Sequence, residues 1–364
     1  MLSSNLIAPR ERVPLQPFST LGVGGSARWF VEAERIEDVA AAHRWSQEHN
    51  VPLFVLGGGS NLVIADEGFD GLVLRVGIRG LDIAEESHST LVTAGAGESW
   101  DGLVETLVAR GLAGVECLSG IPGTVGGTPI QNVGAYGQEV SDAIARVTVY
   151  DTVEGRMQIL SGEDCRFSYR MSRFKTSDAG RFVVCDVTFR VNAGSPTLTY
   201  ADVVAHVTRR NLVNPTLLDV RNAVIEIRRR KGMVLDAADP DTRSVGSFFM
   251  NPVVTGDVRD RIASATGEAV PGYTSDESHV KIPAAWLIER AGFSKGYGDG
   301  PVRISTKHPL AIVNHGTASA REVVQFASAI KRGVADQFGV WLRPEPVFVG
   351  FGQDPDVAFL QRAH

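Results

Sequence analysis

The chain has 364 residues, of which 43% are hydrophobic and 21% are charged, and its formal net charge is −6. This length exceeds one ordinary hydrophobic core, so we expect two or three domains, and the composition is typical of a folded protein and not of a disordered one. The acidic balance argues against a general nucleic-acid binder, and neither a membrane-spanning apolar run nor a secretory signal pattern is visible, so we expect a soluble, cytoplasmic protein.

The first part of the chain alternates between helical and strand patterns. Residues 35–48 have helical apolar spacing, and residues 100–110 form an amphipathic helix pattern that Gly111 ends. Short apolar runs predict strands at 51–56, 71–76 and 89–94. The first of these runs leads directly into the stretch GGGSN.

The middle of the chain is rich in loops at 120–137 and then becomes strand-like. The strand patterns lie at 145–150, 156–160 and 181–191. A helix predicted at 222–230 closes this region and carries the basic residues 228–231 at its end.

The last part of the chain begins near Gly232 and includes the stretch SVGSFFMNP at 244–252, a helix at 284–291 and an apolar run at 309–314. A long helix is predicted at 319–338, because Ser319 and Glu322 form a capping box at its start. Its apolar stripe is predicted to be core without chemistry and consists of Val323, Phe326, Ile330, Val334 and Phe338. We expect the tail after Gly352 to be loosely held.

The cysteine and histidine patterns predict no metal site. The three cysteines lie far apart, without a C-x-x-C pair, which is typical of reduced structural thiols in a cytoplasmic protein; they are Cys117, Cys165 and Cys185. The eight histidines form no H-E-x-x-H or comparable ligand pattern.

The stretch GGGSN at 57–61 is a candidate phosphate-binding loop. Successive backbone N–H groups without side chains can point at an anion. The stretch does not match the dinucleotide fingerprint G-x-G-x-x-G, which fails at Leu62. An ordinary turn is the alternative.

The second glycine-rich loop is more specific. The stretch SGIPGTVGGTPIQNVGAYG at 119–137 holds six glycines and two prolines within nineteen residues, together with the amides of Gln131 and Asn132. Glycines allow close approach of the backbone, and amides can bind the polar edge of a flat ring. Two such loops indicate a dinucleotide cofactor clamped between them.

Three further groups are candidates for binding and catalysis. In CRFSYR at 165–170, Arg170 could bind a carboxylate through two parallel hydrogen bonds, with a solvated basic stretch as the alternative. Tyr200 and Lys231 could bind phosphate. Glu345 lies between two prolines in an apolar segment, which indicates a rigid and dry environment. Ser247 in SVGSFFMNP, taken alone, is typical of a turn before a buried strand.

Together these segments resemble the UDP-N-acetylenolpyruvoylglucosamine reductases of bacterial peptidoglycan synthesis, the MurB family. The matching segments occur in the family's order from about residue 15 to 350: LGGGSNLVIAD, IPGTVGGTPIQNVGAYG, CRFSYRMSRFK, GSFFMNP, KIPAAWLI, KHPLAIVN and WLRPEPVF. The segment around Tyr200 resembles the type I form, which keeps a tyrosine loop over the substrate. Met250 departs from the lysine often found at this position.

The resemblance implies an α+β fold with a two-subdomain FAD-binding module of the vanillyl-alcohol-oxidase (PCMH) type and a C-terminal α/β substrate-binding domain. The implied division is 1–80 and 81–232 for the two FAD-binding subdomains, 233–350 for the substrate-binding domain and 351–364 for a tail. The implied cofactor is noncovalent FAD. The residues expected to bind it are Leu56, Gly57, Gly58, Gly59, Ser60, Asn61, Pro122, Gly123, Thr124, Gly126, Gly127, Gln131, Asn132, Gly134, Ala135 and Tyr136.

The resemblance also implies a reaction. NADPH reduces the flavin, and UDP-N-acetylglucosamine enolpyruvate is then reduced to UDP-N-acetylmuramate. Arg170 stabilises the charge on the substrate carboxylate, Ser247 donates the proton and Glu345 orients or polarises the intermediate. The implied substrate contacts are Tyr200, Lys231, Asn251, Lys295 and His308. We expect a monomer with no nucleic-acid or membrane partner.

Two alternatives stay open at this point. An oxidase of the same superfamily would pass electrons to oxygen, but those enzymes often tether the flavin through a histidine near the glycine loop, and no histidine lies between His49 and His88. A nonenzymatic protein that binds nucleotide sugars would not need Ser247, Arg170 and Glu345 together.

Overall fold

The computed structural model describes residues 7–362 except 275 and 277. The helices in this part of the chain are α1 (Ile36–Glu48), α2 (Trp100–Ala109), α3 (Ala201–Arg209), α4 (Leu217–Arg230), α5 (Gly256–Thr266), α6 (Ala284–Arg290), α7 (Ala320–Phe338) and α8 (Pro355–Gln361).

The strands are short and mostly antiparallel. They are β1 (Arg10–Pro14), β2 (Ser26–Ala33), β3 (Leu53–Leu56), β4 (Leu62–Ile64), β5 (Phe69–Val76), β6 (Leu81–Glu85), β7 (Thr90–Gly95), β8 (Leu112–Ala113), β9 (Gly134–Ala135), β10 (Gln138–Glu139), β11 (Ile144–Asp151), β12 (Arg156–Ser161), β13 (Phe182–Ala193), β14 (Ser244–Ser247), β15 (Val253–Thr255), β16 (Tyr273–Thr274), β17 (His279–Lys281), β18 (Val302–Ile304), β19 (Ala311–Asn314) and β20 (Val347–Val349).

The first of two compact units comprises residues 7–13, 27–59 and 70–234. It contains a four-stranded sheet in the order β1-β2-β5-β3 and a larger sheet in the order β12-β11-β13-β7-β6. The buried faces of α1 and α2 pack on these sheets in one core, in which Trp100 and Phe189 are among the largest fully buried side chains. Helices α3 and α4 form a smaller core with Cys117.

The second unit comprises residues 14–26, 60–69 and the described residues from 235 onwards. It contains two three-stranded sheets, in the orders β14-β19-β18 and β15-β17-β16, and the parallel pair β20-β4. Segments 14–26 and 60–69 lie in this unit, since β4 pairs with β20 and the Asn314 side chain donates to the carbonyls of Leu21 and Gly22. The predicted domain boundaries, which put both segments in the first FAD-binding subdomain, stay predictions.

The long C-terminal helix α7 forms as its sequence predicts. The Ser319 side chain accepts the N–H of Glu322, and the Glu322 side chain accepts the N–H of Ser319, which completes the predicted capping box. Four residues of the predicted stripe are buried and Phe326 is partly buried against them.

Three helices were not predicted, for different reasons. Helix α5 is mostly polar and has one buried residue, Ile262, so its apolar period is weak. Helix α3 is short and follows Tyr200 directly. The expectation of a loosely held tail is wrong: α8 buries Val357 and Leu360, and the buried Lys331 of α7 donates hydrogen bonds to carbonyl groups at its C-terminal end.

Candidate functional site

The two glycine-rich loops contact each other through their backbones. A Cβ atom on Gly58 would lie 2.6 Å from Cα of Gly123 and 2.9 Å from the backbone N of Thr124. A Cβ atom on Gly57 would lie 3.2 Å from Oγ1 of Thr124. Real Cβ contacts are not this close to backbone atoms, so glycine is required at position 58 for the loops to meet. The two loops therefore lie directly against each other at Gly58 and Gly123 within the first unit, and the prediction that a cofactor is clamped between them stays a prediction.

The second loop is held by strand-like hydrogen bonds at its start. The N–H of Val125 donates to the carbonyl of Glu98 (2.9 Å), and the N–H of Trp100 donates to the carbonyl of Gly123 (3.1 Å). Among the described residues, the Thr124 hydroxyl is a buried group without a hydrogen-bond partner. A buried polar atom of this kind costs free energy unless a ligand satisfies it. Close-packed glycine backbones beside such a hydroxyl fit an anionic cofactor.

Most of the residues predicted to bind the cofactor lie in these two loops of the first unit, whereas Ser60 and Asn61 belong to the second unit. Asn132 is 1% exposed, and its side chain is hydrogen-bonded to protein groups outside the loop: Nδ2 donates to Glu139 Oε2 (2.7 Å) and to the Ser168 carbonyl (3.2 Å), while Oδ1 accepts the N–H of Ser141 (3.1 Å). Its role towards a cofactor stays a prediction.

Arg170 lies at the corner of a tight hairpin and packs over the second loop. Ser168 and Met171 exchange two backbone hydrogen bonds of 3.0 Å, and Arg170 has a left-handed φ of 57°. Its Nη1 lies 3.5 Å from the position of a Cβ atom on Gly134. Non-glycine residues adopt this backbone conformation uncommonly, and such residues concentrate at functional sites.

Tyr136, Tyr200 and Lys231 lie together in the first unit. The rings of Tyr136 and Tyr200 meet edge to face, with centroids 5.3 Å apart. Nζ of Lys231 lies 5.9 Å from the Tyr136 ring and 3.0 Å from Oδ2 of Asp202. Burial acts to lower the pKa of Lys231, but Tyr136 and Asp202 together raise it above its ordinary value. The structure thus brings together the phenol and the ammonium that were predicted to bind phosphate.

Arg228 was not singled out from the sequence, although it begins the basic cluster 228–231. Its guanidinium donates to the carbonyl of Met233 (2.7 Å) and contacts Tyr136. Its Nε is a second buried group that has no hydrogen-bond partner within the described ranges. Burial lowers the pKa of Arg228, whereas Tyr136 and Asp101 act against this shift. The sequence did offer a signal for Arg228. It lies three residues before Lys231 at the end of α4, and residues three apart share a helix face.

In the second unit, Ser247 lies at the end of a strand with a β-bulge. On β14, Ser244 pairs with Val313 and Ser247 pairs with Ala311, so three steps on one strand oppose two on the other. Gly246 lies within the bulge with a φ of 77°, which a residue with a side chain rarely adopts. Phe248 and Phe249 follow with 0% and 1% exposure. The predicted turn is therefore a bulged strand end whose phenylalanines anchor Ser247.

Glu345 lies on the segment next to Ser247. Its N–H donates to the carbonyl of Phe248 (2.9 Å), and its carbonyl accepts from Nδ2 of Asn61 (3.2 Å). The neighbouring residues Pro344 and Pro346 restrict its backbone. Glu345 is only half-buried, so the dry environment predicted from the sequence is not confirmed, whereas its two backbone hydrogen bonds and the flanking prolines agree with the predicted rigid backbone.

The remaining predicted substrate residues also lie in the second unit, in two places. Oδ1 of Asn251 accepts the N–H of Ala284 at the start of α6 (2.9 Å). Lys295 is exposed and precedes Gly296, whose N–H donates to the carbonyl of Ser305 (3.2 Å). His308 follows the same segment, and its Nδ1 accepts the N–H of Leu310 (3.2 Å), which leaves Nε2 to carry the proton of the neutral ring.

The described part of the chain holds no group of three His, Cys, Asp or Glu side chains with the arrangement of a metal site. None of the helices described is long and apolar enough to cross a membrane. The three cysteines form no disulfide and are buried. Burial raises the pKa of each of their thiols to about 12, so they are poor nucleophiles.

Comparison with known proteins agrees with this arrangement. A family model described as an FAD binding domain matches residues 27–161. A second model, described as the C-terminal domain of UDP-N-acetylenolpyruvoylglucosamine reductase, matches residues 239–349. The glycine-rich loops therefore lie in a region that matches a flavin-binding domain, and Ser247 and Glu345 lie in a region that matches the reductase's own domain.

Whole-chain relatives carry the same name. The UDP-N-acetylenolpyruvoylglucosamine reductase of Thermobifida fusca is 48% identical over 349 residues, which cover 93% of this chain and 98% of that protein. The protein of the same name from Streptomyces coelicolor is 46% identical over 346 residues, which cover 93% of this chain and 89% of that protein. The crystal structure of the reductase from Thermus caldophilus is similar with a TM-score of 0.63 at 27% identity and covers 94% of this chain and 100% of that one.

These matches confirm the predicted FAD cofactor and the predicted α+β organisation, in which an FAD-binding module is followed by a C-terminal domain. The backbone contact between the two glycine loops and the buried Thr124 hydroxyl fit that cofactor. The chain belongs to the family of UDP-N-acetylenolpyruvoylglucosamine reductases and is an FAD-dependent oxidoreductase.

Proposed function

We propose that this chain reduces UDP-N-acetylglucosamine enolpyruvate to UDP-N-acetylmuramate, in the cytoplasmic synthesis of peptidoglycan precursors, with NADPH as the electron donor. The observation that carries this proposal is the placement of Ser247 beside Glu345. Ser247 ends a bulged strand, and the next residue, Phe248, binds the backbone of Glu345. The names of the relatives support the substrate.

FAD, when bound, supplies the hydride for this reaction. Addition of a hydride to the terminal carbon of the enol ether moves negative charge onto the adjoining carboxylate. Arg170 would bind that carboxylate and balance the charge, since a guanidinium matches a carboxylate with two parallel hydrogen bonds. The hairpin between Ser168 and Met171 supports this role, because it holds the Arg170 backbone in one conformation before substrate binds.

The carbon next to the carboxylate then needs a proton. We assign this proton to the Ser247 hydroxyl, which is a weak acid but adequate towards so basic a carbon. The half-buried Glu345 would orient or polarise the intermediate from the neighbouring segment. Positioned acids of this kind contribute roughly 10²–10⁴-fold to the rate.

The sugar nucleotide would be bound through its phosphates and sugar. Tyr200 and Lys231 are assigned to the phosphates, and the raised pKa of Lys231 keeps it cationic at neutral pH. Asn251, Lys295 and His308 are assigned to the rest of the nucleotide. We further propose that the protein acts as a monomer without a nucleic-acid or membrane partner, which sedimentation of the purified protein would test.

An anaerobic titration tests the reaction. NADPH should bleach the yellow flavin of the purified protein, and UDP-N-acetylglucosamine enolpyruvate should restore the colour in stoichiometric amount. Restoration by oxygen alone, and not by the enol ether, would identify an oxidase instead. A protein that stays colourless with added FAD would contradict the flavin chemistry altogether.

A further inference from the structure

Thr197 lies three residues before Tyr200, and its N–H, its hydroxyl and its carbonyl each form a hydrogen bond with another residue of the protein. Its N–H donates to Oε1 of Glu116 (2.7 Å), its Oγ1 accepts from Nε2 of Gln138 (3.0 Å), and its carbonyl accepts from Sγ of Cys117 (3.5 Å). Loops at protein surfaces are usually hydrogen-bonded to water instead. The base of the segment that carries Tyr200 is therefore fixed by protein groups.

The residues that hold Thr197 flank the second glycine-rich loop on both sides. Glu116 and Cys117 precede that loop, and Gln138 follows it. The N–H of Cys117 also donates to Oε1 of Gln138 (2.7 Å), which joins the two ends of the loop. We call Glu116, Cys117, Gln138 and Thr197 the Thr197 cluster.

Buried groups make this cluster rigid. Glu116 has 0% exposure and accepts N–H groups from Gly114 (2.8 Å), Gln138 (2.9 Å) and Thr197 (2.7 Å). A buried carboxylate is tolerated only when donors satisfy it, so removal of one partner carries a large cost. Burial and the Glu116 charge raise the pKa of Cys117 to about 12, so this residue acts as a neutral S–H donor.

From Thr197 onwards, the chain follows the glycine-rich loop in the opposite direction. Gly137 has a φ of 85°, which residues with a side chain rarely adopt, and a Cβ atom there would lie 2.5 Å from Oγ1 of Thr199. The next pair of residues along these two segments is Tyr136 and Tyr200, whose ring centroids lie 5.3 Å apart. The position of Tyr200 is thus set by the same loop that contains the predicted flavin contacts.

We propose that Glu116 and Gln138 are positioning residues, which hold Thr197 so that Tyr200 stands where it binds the diphosphate of the sugar nucleotide. This inference rests on the proposed function, because it takes Tyr200 as a substrate contact. Neither Glu116 nor Gln138 is proposed to contact the substrate. They act through Thr197 and Tyr200 and tie substrate binding to the conformation of the flavin loop.

The substitution Thr197→Val tests the proposal in the FAD-loaded protein. It keeps the volume of the side chain and removes the hydrogen bond from Gln138. We expect amide hydrogen exchange in residues 194–200 to become about five- to tenfold faster, since one net hydrogen bond is worth about 1 kcal/mol. We also expect KM for the enol ether to rise by a similar factor, while kcat and the rate of flavin reduction by NADPH stay unchanged.

A double variant separates positioning from a general structural effect. If the Thr197 cluster acts through Tyr200, then Thr197→Val combined with Tyr200→Phe should raise KM no further than Tyr200→Phe alone. The matched control is Thr106→Val in α2, which removes a hydrogen bond from Thr106 Oγ1 to the Gly102 carbonyl (2.9 Å) in the same unit and should leave KM unchanged.

Three outcomes would overturn the proposal: wild-type exchange in Thr197→Val, an unchanged KM, or KM increases that multiply in the double variant. Failure of the proposed function is distinguishable, because wild-type protein would then show no turnover of the enol ether. The exchange measurement does not depend on turnover, so in that case faster exchange in Thr197→Val would still support the hold on the Tyr200 segment, and unchanged exchange would refute it.

Discussion

The contact between the two glycine-rich loops makes a quantitative prediction for Gly58→Ala. The added Cβ would lie 2.6 Å from Cα of Gly123, whereas ordinary contacts begin at 3.4 Å. The obstructing atoms are backbone atoms and cannot rotate away, so the loops must separate by about 0.8 Å. Overpacking of this kind costs about 1–3 kcal/mol, which corresponds to roughly 5- to 150-fold in a binding constant if the cofactor needs the loops in contact.

We therefore expect Gly58→Ala to weaken FAD binding by roughly 5- to 150-fold. The measurement is a fluorescence titration of FAD into the apoprotein, with thermal unfolding recorded in parallel. The matched control is Gly102→Ala in α2, where the new Cβ would meet nothing closer than 3.4 Å and where alanine favours the helix. FAD affinity equal to that of the wild type in Gly58→Ala would refute the reasoning that the loops must touch to form the site.

Three further predictions concern other parts of the chain. Ser247→Ala should leave flavin reduction by NADPH intact and slow enol-ether turnover by roughly 10²–10⁴-fold in stopped-flow experiments; normal turnover would remove Ser247 from the role of proton donor. The hydrogen bonds from Arg181 hold the pKa of Asp151 at about 2, below its ordinary value of 3.8, so this pair stabilises the fold above about pH 4 and the contribution is lost as the pH falls towards 2. Urea unfolding of Asp151→Asn should accordingly show a stability deficit at neutral pH that shrinks between pH 4 and pH 2, and a deficit independent of pH would contradict the assignment. Lys331→Met should lower the stability of the protein by about 1–3 kcal/mol and expose α8 to proteolysis, because three carbonyl groups at the end of α8, one of them buried, lose their common donor; an unchanged cleavage pattern would show that α8 is held by its apolar residues alone.

Local features of the fold could be predicted from the sequence because their causes are local. The capping box of α7 needs only Ser319 and Glu322, which are three positions apart. The strand β5 and the helix α2 follow from apolar periods within about ten residues. Helix α8 was not predicted, since its stability depends on Lys331, which lies about thirty residues earlier in the chain.

The candidate site divides in a similar way. The sequence showed the glycine-rich loops, the place of Arg170 in a stretch that mixes arginines with aromatics, and the position of Glu345 between prolines. The buried Nε of Arg228 and the engagement of the Asn132 side chain by Glu139 and Ser168 were not, because burial and hydrogen-bond partners arise only from packing.

The sequence by itself determined which residue types are available for flavin and substrate chemistry, in which order they occur, and which segments need glycine. These properties depend on side-chain chemistry and on short-range geometry. Only the tertiary structure decided that Gly58 touches Gly123 and that Glu116 and Gln138 hold Thr197, across 65, 81 and 59 positions of the chain. Contacts over such separations depend on how sheets and loops pack, which no local pattern specifies.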